Sequence, residues 1–266
     1  MTQPSPASDP GHPRVALVTG VGRRRSIGSE LALGLAADGW DLALNHWQPY
    51  DERVGYERGS DDPASVADDC RRLGARVVLL PADLTDPAAL AALVEAATTQ
   101  LGSVTGLVMS HCESVDSTLL TTSLEAWQRH FDVNARATWL LIRELATRLP
   151  VGPPTGQPAA RIVALTSDHT AHNLPYGASK GALDRIVIAA AIELADRGVR
   201  ANVINPGPID TGWMTDEIRS LGLASTPAGR LGTGRDTADL VRFLLSEQGG
   251  WINGQLLYSN GGFRTS

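Results

Sequence analysis

Arg14–Gly39 reads RVALVTGVGRRRSIGSELALGLAADG, and this stretch decides the fold. Arg14–Thr19 is a short apolar run that reads as a buried strand. A turn follows, Thr19-Gly20-Val21-Gly22-Arg23-Arg24-Arg25-Ser26-Ile27-Gly28. From Ile27 to Ala37 the apolar residues recur with a helical period, and Gly39 stops the helix. Glycines at a strand-to-helix junction let a backbone approach a pyrophosphate, and the helix N-terminus adds free N–H groups and a favourable dipole. Glycine also serves turn geometry alone, so it is the position at the first junction that gives this loop its weight.

Outward from this unit, strands are expected at Asp41–Asn45, Arg76–Leu80, Val104–Met109, Arg161–Thr166, Val199–Asn205 and Gln255–Ser259. Helices are expected over Ala64–Leu73, from Pro87 to about Leu101, from Ser123 to about Leu149, and over Tyr176–Arg197. Asp86 caps the second of these with Pro87 at its first position, and Gly198 closes the last. His46–Pro63 lacks periodicity and reads as a long loop, and Gly152–Pro158 reads as a Pro/Gly surface loop. Continuous apolar strands alternating with helices mark a parallel sheet covered on both faces. The expected architecture is α/β: a single Rossmann-type doubly wound parallel sheet of about seven strands with helices on both faces. It spans residues 14–266, after a flexible N-terminal tail over residues 1–13.

Composition excludes several classes. Of 266 residues, 42% are hydrophobic and 20% charged, which is globular and neither disordered nor collagen-like. No apolar run approaches the roughly 18–20 residues that span a bilayer. Met1–Pro13 has neither a basic start nor an apolar core and does not read as a signal peptide. Cys70 and Cys112 are too far apart to suggest a disulfide framework or a metal site, so a reducing, cytoplasmic setting and no metal are expected. The net charge of −6 argues against nucleic acid or an anionic membrane as partner.

The chemistry concentrates at Tyr176-Gly177-Ala178-Ser179-Lys180. Tyr and Lys at i and i+4 share one helix face. A phenol has an ordinary pKa near ~10, and a nearby ammonium favours its ionised form. Tyr176 thereby becomes usable as an acid for a carbonyl oxygen or a base for an alcohol. Lys180 is the only lysine among 23 basic residues, and it stands where this chemistry wants an ammonium. Toward the other end, Asn45-His46-Trp47 carries no carboxylate to repel a 2′-phosphate. Arg23, Arg24 and Arg25 sit in the adjacent loop and suit phosphate pairing. NADP(H) is therefore favoured, with NAD(H) as the alternative.

Y-x-x-x-K, with the glycine turn, resembles the short-chain dehydrogenase/reductase family, whose usual first turn is T-G-x-x-x-G-x-G. The present loop is two residues longer, with Ser26 where the central Gly is expected, and looks like the T-G-V…S-I turn of the enoyl-reductase branch. The resemblance implies a dinucleotide held by Gly20, Gly22, Arg24, Arg25, Ser26, Ile27 and Gly28. Trp47 at the second strand, Asp83 and Leu84 at the adenine, and Ser110 after the fourth strand would join them. So would Tyr176, Lys180, and Pro206, Gly207, Ile209 and Thr211 of a segment resembling P-G-x-x-x-T. Where the family usually shows N-N-A-G, this chain has Ser110-His111-Cys112-Glu113.

The implied catalytic set is Tyr176, Lys180, Ser167 and Asn134. Ser167 orients the substrate oxygen, with Thr166 the alternative if the register slips by one. Asn134, within Phe131-Asp132-Val133-Asn134, keeps a relay water. Ser167 precedes Tyr176 by nine residues where thirteen are common, which implies a shortened loop and a pocket more open on that side. His169 and His172 lie in that loop as pocket-lining rather than catalytic residues. Gly212–Gly229, with Trp213 and Met214, is where the family keeps a substrate lid. Cys112 reads as quiet and partly buried, and Trp127 and Trp139 as packing at a helix or subunit surface.

In general layout the chain is similar to 3-oxoacyl-carrier-protein reductases. The implied activity is hydride transfer between nicotinamide and a carbonyl or secondary alcohol, the small-molecule substrate. Enoyl reduction is one alternative, although that branch usually has six residues between Tyr and Lys. A non-catalytic dinucleotide-binding sensor or structural subunit is the other. A homotetramer or homodimer built on Ser123–Leu149 and Tyr176–Arg197 is implied as well.

Overall fold

The computed structural model describes residues 14–56, 62–151 and 158–263. The tail expected over residues 1–13 and most of the Gly152–Pro158 loop lie outside the described residues. Seven strands form a single parallel sheet: β1 Arg14–Thr19, β2 Trp40–His46, β3 Val77–Pro81, β4 Val104–Met109, β5 Ala160–Leu165, β6 Val199–Asn205 and β7 Leu256–Tyr258. Their spatial order is β3-β2-β1-β4-β5-β6-β7. The order reverses between β1 and β4, so the crevice beyond the C-terminal ends of these two strands is the topological switch point, where open α/β sheets bind ligands.

The alternation within β1 builds both faces at once. Val15 and Leu17 point to a core shared with α4 (Pro87–Leu101), α6 (Ala137–Ala146) and α7 (Leu174–Glu193). Ala16 and Val18 point to the opposite core, shared with α1 (Ile27–Ala37), α3 (Asp62–Arg72) and the helix Gly234–Leu245. A sheet covered on both sides needs apolar residues at every strand position, which is why RVALVT shows no polar alternation. Among the described residues, no helix is long and apolar enough to cross a membrane.

Two expectations change. The stretch expected as a long loop after β2 contains a short helix, α2 (Gln48–Arg53), with Pro in its first turn and Trp47 at its N-cap. Six residues are too few to show a helical period, so the pattern was invisible in sequence. The single helix expected from Ser123 is divided. Ser123 caps α5 (Leu124–His130), a π-helical turn occupies Phe131–Arg136, and α6 completes the run. A π turn widens the helix by one residue and frees backbone carbonyls from the regular ladder.

Candidate active site

A cavity of about 400 Å³ opens beyond β1, β2, β3 and β4. The first turn contributes Gly20, Gly22, Arg23, Ser26 and Ile27, and Asn45 and Trp47 come from the end of β2. Asp83, Leu84 and Thr85 follow β3, Ser110 to Glu113 follow β4, and Thr211 closes the far side. Most residues expected at the cofactor thus converge on one hollow. Gly20 adopts φ +79°, and a Cβ there would meet the His111 nitrogen at 2.8 Å. A Cβ on Gly28 would stand 2.4 Å from the Gly20 carbonyl oxygen, so α1 starts tight against the turn. Ser26 caps that helix, its hydroxyl accepting from the Ser29 N–H at 3.1 Å. Asp83 also braces its own turn, one carboxylate oxygen accepting from the Thr85 N–H at 2.8 Å.

Other expected residues sit elsewhere. Arg24 and Arg25 are not lining residues of the cavity. Arg24 pairs with Asp69 on α3, and Arg25 lies 2.8 Å from Asp210. Both guanidiniums follow carboxylates on the outer side of the turn. Arg23 is the one that faces the hollow, with Nε 2.9 Å from Asp51 and Nη1 donating to the Thr211 carbonyl at 2.7 Å. Pro206, Gly207 and Ile209 lie outside the lining. Gly207 turns at φ +67°, with its N–H on the Asn205 side chain, and Ile209 is buried.

At the position of the missing N-N-A-G, His111 acts as a wedge. Its Nε2 lies 3.1 Å from the Val133 carbonyl, and its Nδ1 lies 2.6 Å from the Thr19 hydroxyl. A carbonyl can only accept, so Nε2 carries the proton and Nδ1 accepts from Thr19. The Thr19 oxygen in turn accepts from the Ser110 N–H at 3.3 Å. One neutral imidazole therefore ties the ends of β1 and β4 to the π turn. Burial, with the nearby Lys180 charge, pushes its pKa down to about 3.

Tyr176, Lys180, Ser167 and Asn134 assemble next to this wedge. Ser167 follows β5 by two residues; its hydroxyl accepts from the His169 N–H at 3.2 Å and lies near the Tyr176 phenol. Lys180 Nζ lies 5.8 Å from the Tyr176 ring centre and donates to the Leu165 carbonyl at 2.8 Å. Burial raises the Tyr176 pKa above its ordinary value, against a lowering by the Ser167 hydroxyl. Burial lowers that of Lys180. Desolvation, with the neighbouring Cys112, thus outweighs the lowering by Ser167, and Tyr176 holds its proton at neutral pH.

Asn134 is fully buried and spends its side chain on structure. It accepts from the Glu113 N–H at 2.8 Å and donates to the Glu113 carbonyl and the Ser179 hydroxyl, each at 2.9 Å. Its own carbonyl accepts from the Thr138 hydroxyl at 2.9 Å. The shortened loop after Ser167 lies directly on α7, where a Cβ on Gly177 would come within 2.0 Å of the His169 carbonyl oxygen. His169 and His172 are exposed, and no group of three metal-ligating side chains occurs among the described residues. Trp127 stacks on Phe131 at 4.7 Å, and Trp139 lies half-exposed under Arg143.

A family model described as enoyl-(acyl carrier protein) reductase matches residues 20–264. An uncharacterized oxidoreductase, YjdA, of Bacillus subtilis is 31% identical over 257 residues, covering 94% of this chain and 96% of its own. The chain is a short-chain dehydrogenase/reductase. Within this family, it is also 32% identical to an NADPH-dependent aldehyde reductase-like chloroplastic protein of Arabidopsis thaliana, covering 94% of each. A blue fluorescent protein from a metagenomic library, solved with NADPH, superposes with a TM-score of 0.81 at 30% identity, covering 95% of this chain and 98% of that one.

Sequence reasoning missed the contributions of α2 to this dehydrogenase/reductase site. Tyr50, Asp51 and Arg53 all line the cavity, and Arg53 grips the buried Glu113 carboxylate at 2.5 and 2.8 Å. The only sequence signal was the Pro-x-Asp-x-Arg pattern at 49–53, which fits a short helix with an acidic start and a basic end.

Proposed function

We propose that this short-chain dehydrogenase/reductase is an NADP(H)-dependent carbonyl reductase or alcohol dehydrogenase. The carrying observation is Lys180 Nζ 5.8 Å from the Tyr176 ring, one helical turn along α7, with the Ser167 hydroxyl near enough to the phenol to pull its pKa down. The residues present fit a nicotinamide dinucleotide. The face of Gly22 that lacks a Cβ and the Arg23 guanidinium would receive phosphate, and Trp47, Asp83 and Leu84 the adenosine half. The NADPH-named relatives support the phosphorylated form. When bound, the nicotinamide supplies the hydride that reduces a carbonyl carbon.

The chain's own groups do the rest. Ser167 donates to the substrate oxygen and orients it. Tyr176 gives its proton to that oxygen as negative charge develops there. A protonated Tyr176 is equipped to act as the acid when a carbonyl is reduced. Lys180 shores the phenol from below and steadies the ribose, while Asn134 fixes Glu113 and Ser179 so that α7 and the tip of β4 stay in register. Exposed Trp139 on α6 and Ile192 on α7 support self-association through these helices into a dimer or tetramer.

The test is NADPH oxidation by the purified protein against a panel of aldehydes, ketones and 3-oxoacyl thioesters, with enoyl thioesters alongside. Turnover of carbonyls alone supports the reading. Turnover confined to enoyl thioesters would move the activity to the branch whose first turn this chain resembles, and tight NADPH binding with no turnover would favour a sensor.

A further inference from the structure

The turn that reads as a phosphate site already holds an anion. Asp51 on α2 is buried, and its Oδ1 lies 2.9 Å from Arg23 Nε. Its Oδ2 lies 2.8 Å from the point where a Cβ of residue 22 would stand. The carboxylate therefore fills the open face that glycine leaves at this turn. In a phosphate-binding turn, that face is what lets an anion reach the backbone.

The rest of α2 keeps Asp51 in place. Arg53 clamps Glu113 at the tip of β4 with two hydrogen bonds. Tyr50 meets Tyr56 edge-on at 6.2 Å, and Tyr56 lies 4.2 Å beneath the Arg23 guanidinium. Arg23 is thus enclosed by a carboxylate, a carbonyl and a ring.

We propose that Asp51 is an internal stand-in for a cofactor phosphate, and that it sets cofactor affinity by competing for Arg23 and the face of Gly22. A phosphate and a carboxylate cannot share one desolvated guanidinium cheaply, because like charges at contact repel strongly away from water. Asp51 and α2 must give way before a phosphate seats. The phosphate in question is the 2′-phosphate of NADPH: as a monoester it carries about −1.5 to −2 charges against the single charge of a carboxylate, and it takes both edges of an Arg fork, so the exchange runs toward the ligand. This inference rests on the dinucleotide reading of the cavity.

Equilibrium titration of the full chain with NADPH, followed by nicotinamide fluorescence, tests it. Asp51→Asn keeps the shape and removes the charge. It should tighten NADPH at least tenfold, and the gain should vanish in Arg23→Met/Asp51→Asn. Arg53→Lys keeps a charge near Glu113, but its shorter side chain slackens the hold of Arg53 Nη2 on both carboxylate oxygens, and it should tighten NADPH about threefold; this variant decides the matter if Asp51→Asn does not fold. Unchanged or weaker NADPH binding in the variants overturns the proposal, since Asp51 would then serve only to brace Arg23. If the wild-type chain binds neither NADPH nor NADH, the dinucleotide reading itself fails, which is a different result from wild-type binding that the variants leave unchanged.

Discussion

At the Arg23 end of the crevice each guanidinium is met by a carboxylate, whereas at the Tyr176 end polar groups are met by dipoles. Arg23, Arg24 and Arg25 pair with Asp51, Asp69 and Asp210, and Arg53 pairs with Glu113. Lys180 donates to a carbonyl, Asn134 bridges the N–H and C=O of Glu113, and His111 is a neutral bridge. An ion pair can exchange one partner for a ligand's charge. A dipole network offers no such exchange and instead holds geometry. The difference suits one end to anion binding and the other to proton transfer at a fixed distance.

That comparison can be broken at several points. Ser167→Ala removes the hydroxyl proposed to meet the substrate oxygen, and it should lower kcat by about 10²–10³-fold with NADPH binding unchanged. A parallel loss of cofactor affinity would show that the two ends are not separable.

Next in size is the acid sensitivity of the wedge. The folded-state pKa of His111 is depressed to about 3, against an ordinary value of 6.5. Between these values the unfolded chain binds a proton that the folded chain refuses. The stability it contributes is present above pH 6.5 and is lost as the pH falls toward 3, at a slope approaching ~1.4 kcal/mol per pH unit. Urea unfolding from pH 7 to 4 should show this slope, and His111→Gln should flatten it. An unaltered slope in the variant would place the acid sensitivity elsewhere.

Gly177→Ala presses a methyl group into the His169 carbonyl. It should cost about 1–3 kcal/mol in thermal or urea unfolding, and displace Ser167 enough to lower kcat more than KM changes. A neutral result would mean that the loop after β5 is not seated on α7. Smallest is Trp139→Glu, which should shift the proposed dimer or tetramer toward monomer in sedimentation; an unchanged oligomer would move the proposed subunit surface off α6.

The fold was legible because apolar runs and helix caps are local. Ser26, Asp86 and Ser123 each cap the helix that the sequence placed after them. The Tyr176–Lys180 face was legible for the same reason, since i and i+4 are fixed by helix geometry. Partner choice among charged side chains was not. Nothing local tells Arg23 from Arg24 and Arg25, and only the folded chain puts Asp51, 28 positions away along the sequence, beside the first of them. The role of His111 was hidden likewise, because its partners come from β1 and the π turn.

The central claim is that Tyr176 gives the proton in an NADPH-dependent reduction. The most direct test is Tyr176→Phe, compared with wild type for NADPH affinity and for turnover on the best carbonyl substrate. The account predicts equal NADPH binding and a loss in kcat of about 10²–10⁴-fold. Turnover retained in the variant, with NADPH bound, would contradict it.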